Sequence, residues 1–159
     1  MNKILLLVAA GLIVGGVMKR ATKNYFKPSE FGGWYEQLNP DLLAAMNRFR
    51  ELWGAPVLVS QADGAVGRRL GADNTSQHNI DHWGHVNGVD MFPAGMNTPD
   101  DMRRAQRLAT QAGFTGIGLY TDTSRPMLHG DVRSNKSVGS PALWSRVAGQ
   151  YLAINEAYV

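Results

Sequence analysis

Histidine is scarce in this sequence, and three of its four copies fall within one stretch of eight residues. The four are His78, His82, His85 and His129. Two aspartates accompany them: Asp90 follows the cluster, and Asp131 lies two residues after the last histidine. Imidazole and carboxylate groups suit a catalytic zinc ion, which takes three protein ligands and lowers the pKa of the water in its open position to about 7. A solvated, histidine-rich surface loop fits the same spacing, so spacing alone leaves both interpretations open.

The elements around these residues predict an α+β domain with a small antiparallel sheet flanked by helices. Short apolar and β-branched runs predict strands over residues 56–60, 86–92, 114–120 and 127–132. Capping residues and apolar stripes predict helices over residues 40–53 and 98–112. Residues two apart share one face of a strand, so His129 and Asp131 should point the same way. The polar, glycine-rich residues 61–75 predict a long loop.

A last helix is predicted to begin at Ser140-Pro141, where serine would cap it and proline would occupy its first turn. Its apolar residues would be Leu143, Trp144, Val147, Tyr151, Leu152 and Ile154. The domain would then run over residues 40–159 and end on this helix.

The charges of the chain are unevenly distributed. It carries 16 Lys and Arg against 13 Asp and Glu, and three of the bases lie in the first 20 residues, which hold no acid. The rest is therefore neutral, with 13 bases against 13 acids. A neutral body lacks the basic surface of a nucleic-acid-binding protein, which argues against that class of partner. The absence of cysteine excludes disulfides, thiolate metal sites and a cysteine nucleophile.

The first 20 residues contain an uncharged apolar run over residues 4–18 with basic residues on both sides. A transmembrane helix needs about 20 apolar residues, whereas a shorter run is usual in the core of a signal peptide. We expect a retained membrane anchor or a cleaved signal, with a buried helix of the domain as the third possibility. Either of the first two would send the neutral domain towards or across a membrane. Residues 21–39 mix Pro, Gly and aromatic side chains and predict a linker that docks on the domain.

Four motifs resemble, in their order and context, those of one enzyme family. They are Ser76-Gln77-His78, Gly88-Val89-Asp90, the strand FTGIGLY over residues 114–120 and LHGDVR over residues 128–133. The motifs are similar to those of the zinc D-Ala-D-Ala carboxypeptidases and L-alanyl-D-glutamate endopeptidases, which cut the peptide stems of bacterial peptidoglycan. The resemblance covers about residues 40–135. It implies a fold of the hedgehog and D-Ala-D-Ala-peptidase type.

The zinc ligands that the resemblance implies are His78, Asp90 and His129. The family keeps an arginine for the substrate carboxylate in the loop where this chain has Arg68. A guanidinium group can bind a carboxylate with two hydrogen bonds, although Arg68 could equally be a solvated loop residue. Ser76, in the first motif, is expected near the substrate.

Two features depart from the family pattern. The interval from His78 to Asp90 is longer than in the family, which makes His85 a rival first ligand and an expected neighbour of the substrate. Many relatives also place an acid shortly before the last histidine, at the position that Pro126 takes here. Asp131 is then the nearest general base, or else it orients the last histidine. The remaining candidates for the base are His85, Asp81 and Asp122.

Together the residues and the resemblance predict a zinc metallopeptidase that hydrolyses peptidoglycan stem peptides. The apolar N-terminus resembles that of phage lysis enzymes exported by a releasable anchor, and a virion-borne or bacterial wall-remodelling enzyme fits as well. The alternative is a non-catalytic binding or structural module that keeps the fold, which the two departures favour. A structural or membrane-remodelling phage protein is a third possibility and rests on the N-terminal run alone. Whether the D-Ala-D-Ala or the L-Ala-D-Glu bond is cut stays open.

Overall fold

Six strands form one sheet in the computed structural model, which describes residues 23–159. The strands are β1 (Val57–Val59), β2 (Gly88–Pro93), β3 (Gly116–Tyr120), β4 (Met127–Asp131), β5 (Ala142–Val147) and β6 (Gln150–Leu152). Their order across the sheet is β1-β2-β4-β3-β5-β6, and every neighbouring pair is antiparallel except β3 with β5. The predicted α+β class with a mostly antiparallel sheet is confirmed.

Two helices pack with the sheet, α1 (Pro40–Trp53) and α3 (Pro99–Ala112). Asn39 caps α1 by accepting a hydrogen bond from the backbone of the first turn, and Thr98 and Asp101 form a reciprocal capping box at α3. Apolar side chains of both helices and of one sheet face form a single core. Its central members include Leu42, Met46, Phe49, Ala105, Ala109, Val89, Met91, Ile117, Leu119 and Leu128. The other face of the sheet is left for the site.

The predicted C-terminal helix beginning at Ser140-Pro141 is wrong. These residues form β5 and β6, followed by a short 3-10 helix over Ile154–Tyr158. Ala148 and Gly149, with φ of 48° and 79°, make the tight turn that joins the two strands. Pairing of β5 with β3 lets side chains alternate between the sheet faces, and Trp144 faces the site. This long-range pairing overrides the local helical pattern.

Register across the sheet brings the polar side chains of the site together. Asp90 on β2 pairs with His129 on β4, which pairs with Gly118 on β3, which in turn pairs with Trp144 on β5. These four residues form one row on the face opposite the core. The next row on the same face holds Met127, Tyr120, Arg146 and Tyr151.

A short helix explains the long interval between the first histidine motif and β2. The chain makes one helical turn, α2 (Ile80–Trp83), directly after His78. Asn79 caps this turn, and Gly84 ends it in the left-handed conformation at φ 74°. The extra residues therefore form a compact excursion, and they leave His78 and Asp90 free to meet.

The docking linker was predicted over residues 21–39, and its described part, residues 23–39, packs against the domain with Phe26, Phe31 and Leu38 buried in the core. Trp34 lies so close to Gly67 that a Cβ there would be 2.2 Å from its ring. The predicted apolar segment over residues 4–18 lies outside the described residues. Within residues 23–159, no helix is both long and apolar enough to cross a membrane.

Candidate metal centre

Three buried side chains converge in the wall of a cavity of about 820 Å³. Nε2 of His78 lies 3.2 Å from Nδ1 of His129 and 3.7 Å from Oδ1 of Asp90. The third separation, between Nδ1 of His129 and Oδ1 of Asp90, is 2.9 Å. We call these three residues the ligand triad.

The ligand triad has the donors and the spacing that a metal ion requires. Bonds of about 2.0–2.2 Å in tetrahedral geometry place neighbouring ligand atoms about 3.3–3.6 Å apart. The three observed separations, from 2.9 to 3.7 Å, bracket that range. Two imidazole nitrogens and one carboxylate oxygen also match three-ligand catalytic sites that keep a fourth position open. The triad could therefore hold a metal ion.

The loop over residues 65–68 supports two members of the ligand triad. Nδ1 of His78 lies 2.9 Å from the carbonyl of Val66. A carbonyl can only accept, so Nδ1 carries the proton and the lone pair of Nε2 faces the triad. The N–H of Arg68 donates to the carbonyl of His78 at 2.8 Å, and the N–H of Asp90 donates to the carbonyl of Ala65 at 2.9 Å. Any shift of this loop would move both ligands.

His129 is held between two carboxylates. Its Nδ1 faces Asp90, and its Nε2–H donates to Oδ2 of Asp131 at 3.0 Å. Asp131 is fully buried, and Arg133 binds both of its oxygens, through Nε at 2.8 Å and Nη2 at 2.5 Å. A carboxylate on the far nitrogen of a ligating histidine fixes its tautomer and its ring orientation. Because Asp131 does not line the cavity, its position matches the orienting alternative better than the general base.

Burial and neighbouring charges set the protonation of the ligand triad. Burial, together with the charge of His129, lowers the pKa of His78 to about 4, so this ring is neutral at pH 7. Burial also opposes protonation of His129, but its hydrogen bonds to Asp131 and Asp90 raise its pKa to about 9. Burial raises the pKa of Asp90, yet the hydrogen bond from His129, together with the charges of His129, His78 and Arg68, leaves that pKa below its ordinary value. The proton on Nδ1 of His129 lies where a metal would bind and must leave when one does.

Two glycines of β3 make room for the site. A Cβ on Gly118 would lie 2.6 Å from the indole of Trp144, and one on Gly116 would lie 2.3 Å from Oδ1 of Asp131. Because Gly118 has no Cβ, the side chain of Trp144 can cross β3 and approach His129, with ring centroids 5.2 Å apart. The glycine spacing in FTGIGLY therefore has a steric cause.

Arg68 and Ser76, both expected near a substrate, line the cavity. Nε of Arg68 donates to the carbonyl of Gly64 at 2.7 Å, and its guanidinium makes no salt bridge within residues 23–159. Oγ of Ser76 accepts a hydrogen bond from the N–H of His78 at 3.4 Å, so it also shapes the turn before that ligand.

Other predicted residues do not reach the ligand triad. His85 is exposed, and neither it nor His82 lines the cavity. The first histidine of the triad is therefore His78, and the expectation that His85 is a rival ligand or a substrate neighbour is corrected. Asp81 and Asp122 form ion pairs with arginines and do not line the cavity either.

Several cavity residues were not predicted from the sequence. They are Asp63, Tyr120, Arg133, Trp144, Arg146 and Tyr151. Arg133 lies two residues beyond Asp131 in the LHGDVR motif, and that spacing is a signal that could have identified it. The wrong helix assignment concealed the residues of β5 and β6, because it placed their side chains on a helical stripe.

Comparisons of the chain with protein-family models, with curated proteins and with solved structures find no match in any of the three. The site is therefore interpreted from its own geometry. That geometry provides a buried His–Asp–His group, able to hold a metal ion, in the wall of a cavity on one face of the sheet.

Proposed function

We propose that this chain is a zinc-dependent peptidase that hydrolyses peptidoglycan stem peptides, as the motif resemblance implies. One observation carries the proposal: three motif residues from separate parts of the chain meet in one buried group with the spacing of metal ligands. Neither a surface loop nor an ordinary core requires two histidines and an aspartate to meet in this way.

The residues around the ligand triad have distinct tasks in this proposal. His78, Asp90 and His129 would hold the ion, and Asp131 and the carbonyl of Val66 keep the two imidazoles oriented toward it. When bound, zinc supplies a hydroxide nucleophile at neutral pH and polarises the carbonyl under attack.

Arg68 would bind a carboxylate of the stem peptide. Its guanidinium lines the cavity, and a backbone carbonyl, rather than an acid, holds its Nε. A guanidinium without an acidic partner can form two charge-assisted hydrogen bonds with an incoming carboxylate. Trp144, against His129 on the other side, supplies an apolar wall that excludes water from the reacting bond.

Asp63 would accept and return the proton. Two carboxylates line the cavity, Asp63 and Asp90, and the second belongs to the ligand triad. Asp63 forms no salt bridge in the part of the chain that the structure describes. A carboxylate in the cavity can take up a proton at Oδ and return it to the leaving amine. This assignment leaves Asp131 with the orienting task.

The substrate of such an enzyme lies outside the cytoplasmic membrane. We therefore propose that the chain is exported, with the apolar residues 4–18 as its signal or anchor.

A second function, binding of stem peptides without hydrolysis, is favoured by one observation. Pro126 occupies the position at which many relatives have an acid before the last histidine, so that acid is missing here. The nearby Asp131 is bound to Arg133 and lies behind the cavity. A module of this kind would keep the metal and the cavity and lack turnover.

Digestion of peptidoglycan separates these functions. The purified chain is incubated with peptidoglycan as prepared, after treatment with a chelator, and after zinc is restored, and the products are identified by mass spectrometry. We expect zinc-dependent products whose masses identify the cut bond. His129→Ala should abolish them, whereas His85→Ala, at an exposed histidine, should not. Full turnover by His129→Ala would contradict the site, and zinc binding with no products would favour the binding module.

A further inference from the structure

Two cavity arginines lie on opposite sides of the ligand triad. Arg68 belongs to the loop that follows β1. This loop is joined to β2 by the hydrogen bond from the N–H of Asp90 to the carbonyl of Ala65. Arg146 lies on β5, beyond β4 and β3 in the strand order. A peptide that crosses the ligand triad from the β2 side of the sheet toward β5 would meet one guanidinium on each side of the triad.

Arg146 is fixed in place by its neighbours. Its Nε lies 3.0 and 2.9 Å from the two carboxylate oxygens of Asp122, and its guanidinium carbon lies 4.7 Å from the centre of the Tyr120 ring. That ring is nearly parallel to the imidazole of His129, at 12° and 6.4 Å. The guanidinium is therefore at most about 11 Å from the centre of the His129 ring, the sum of the two separations.

The held guanidinium still has donors to offer. Within residues 23–159, the side chain of Arg146 binds Asp122 through Nε, and Tyr151 is its other hydrogen-bonding neighbour. A guanidinium has five N–H donors in a planar fork, so donors on the Nη groups remain for a ligand after these two contacts. Since Asp122 and Tyr120 already order the side chain, a ligand would lose little rotamer freedom on binding it.

We propose that Arg146 is a second carboxylate-binding subsite, so that the cavity selects a peptide with one acidic group on each side of the bond at the ligand triad. This inference rests on the proposed function for the identity of the peptide. An extended chain advances about 3.3 Å per residue. The carboxylate at Arg146 therefore belongs to a residue no more than about three positions from that bond. Tyr151, the exposed residue paired with Arg146 in register, borders the subsite on the outer strand.

The test uses one synthetic stem peptide, L-Ala-γ-D-Glu-L-Lys-D-Ala-D-Ala, in four versions; its two carboxylates lie on opposite sides of the D-Ala-D-Ala bond, which is the bond that this subsite would place at the ligand triad. Its internal and C-terminal carboxylates are both free, amidated one at a time, or both amidated. Dissociation constants are measured by calorimetry on the chelator-treated full chain, so that turnover does not interfere. We expect each amidation to weaken binding by about 10- to 100-fold, because each removes a pair of charge-assisted hydrogen bonds.

Three variants assign the two carboxylates. Arg146→Gln should make binding indifferent to amidation of the internal carboxylate while the C-terminal carboxylate still matters, and Arg68→Gln should do the reverse. Asp122 also accepts the N–H of Gly149, in the turn between β5 and β6. Arg146→Lys keeps a cation beside Asp122 and this turn, but it lacks the paired N–H groups, so it should also lose most of the discrimination. These variants separate ligand binding from support of the turn.

Three results would overturn the subsite. The first is wild-type binding that ignores the internal carboxylate, and the second is no binding of any version. The third is an Arg146→Lys variant that discriminates as well as the wild type. If zinc-dependent cleavage occurs but binding does not depend on the internal carboxylate, the subsite is wrong and the proposed peptidase function stands. If binding depends on that carboxylate but no cleavage occurs, the subsite stands and the peptidase function is wrong.

Discussion

Asp131 accepts the Nε2–H hydrogen bond of His129 at 3.0 Å, on the side of the ring that faces away from the ligand triad. The contact determines which imidazole nitrogen would face a metal ion, because a carboxylate on Nε2 leaves Nδ1 free to serve as the ligand atom. Arg133 binds both oxygens of Asp131 and so fixes the carboxylate in turn. The order of support runs from Arg133 through Asp131 to the ligand.

Asp131→Asn should weaken zinc binding by about 10- to 100-fold, the usual effect of losing the carboxylate behind a ligating histidine. The measurement is competition for zinc with a chromophoric chelator. Asp122→Asn is the matched control, because that aspartate is also bound by an arginine but does not contact the triad. Equal zinc affinity in both variants would show that Asp131 does not orient His129.

His78→Ala should weaken zinc binding by more than about 100-fold, since a direct ligand contributes more than its outer partners. His85→Ala should leave the affinity unchanged, because His85 is exposed and does not line the cavity. The same chelator competition tests both. The reverse pattern would restore His85 as the first ligand.

Zinc affinity should rise about tenfold per pH unit between roughly pH 5 and pH 7, and more steeply above pH 7, where zinc-bound water also loses a proton. In this range His78 is already neutral, with its pKa lowered to about 4, whereas the pKa of His129, raised to about 9, keeps that ring protonated. Each zinc ion must therefore displace one proton, and higher pH favours the exchange until His129 is neutral.

Calorimetry at pH 6, below the pKa of zinc-bound water, in two buffers of different ionisation enthalpy should count close to one proton released per zinc bound. An affinity that stays constant from pH 6 to pH 8 would show that His129 is not the ligand that exchanges its proton.

Gly67→Ala should lower the free energy of unfolding by about 1–3 kcal/mol, the usual cost of forcing a methyl group into a packed contact. The new Cβ would lie 2.2 Å from the ring of Trp34. Because the loop over residues 65–68 holds His78 and Asp90, zinc affinity should fall as well. Denaturant unfolding and zinc competition measure the two effects.

Gly139→Ala is the control for this substitution, since a Cβ there meets nothing within 4 Å. Adding Trp34→Ala to Gly67→Ala should recover part of the lost zinc affinity, because it removes the clash. If the double variant binds zinc no better than Gly67→Ala alone, the loop is not displaced through Trp34.

Asp63→Asn should reduce turnover by about 10²- to 10⁴-fold, the range for loss of a general base. Its zinc affinity should match the wild type, because Asp63 is not part of the ligand triad. Steady-state cleavage of the stem peptide, alongside chelator competition, measures both. Unchanged turnover would remove Asp63 as the proton acceptor and leave the rest of the site standing.

Much of the scaffold around the site was predictable because its signals are local. The cap at Asn39 and the proline after it start α1, and the capping box of Thr98 and Asp101 starts α3. Both signals act within one helical turn. The strands that carry Asp90 and His129 were likewise predictable from short apolar runs, to within a few residues at their ends.

The C-terminal strands were not predictable in this way. The segment over residues 142–152 has apolar spacing that fits a helix, and its strand conformation depends on parallel pairing with β3, more than twenty residues earlier. The error also hid Trp144 and Arg146, because only the sheet turns both toward the cavity.

By itself the sequence determined the boundaries of α1 and α3, the α+β class and the residue types from which a metal site can be built. It also named His78, Asp90 and His129, through motifs that lie within short segments. Tertiary structure decided that these three residues meet, that α2 carries His85 away from them, and that Asp131 faces the far side of the imidazole. Each of these outcomes depends on strand register and on contacts between distant segments. The physical reason is that local patterns set a residue's conformation, whereas packing of the whole chain sets its neighbours.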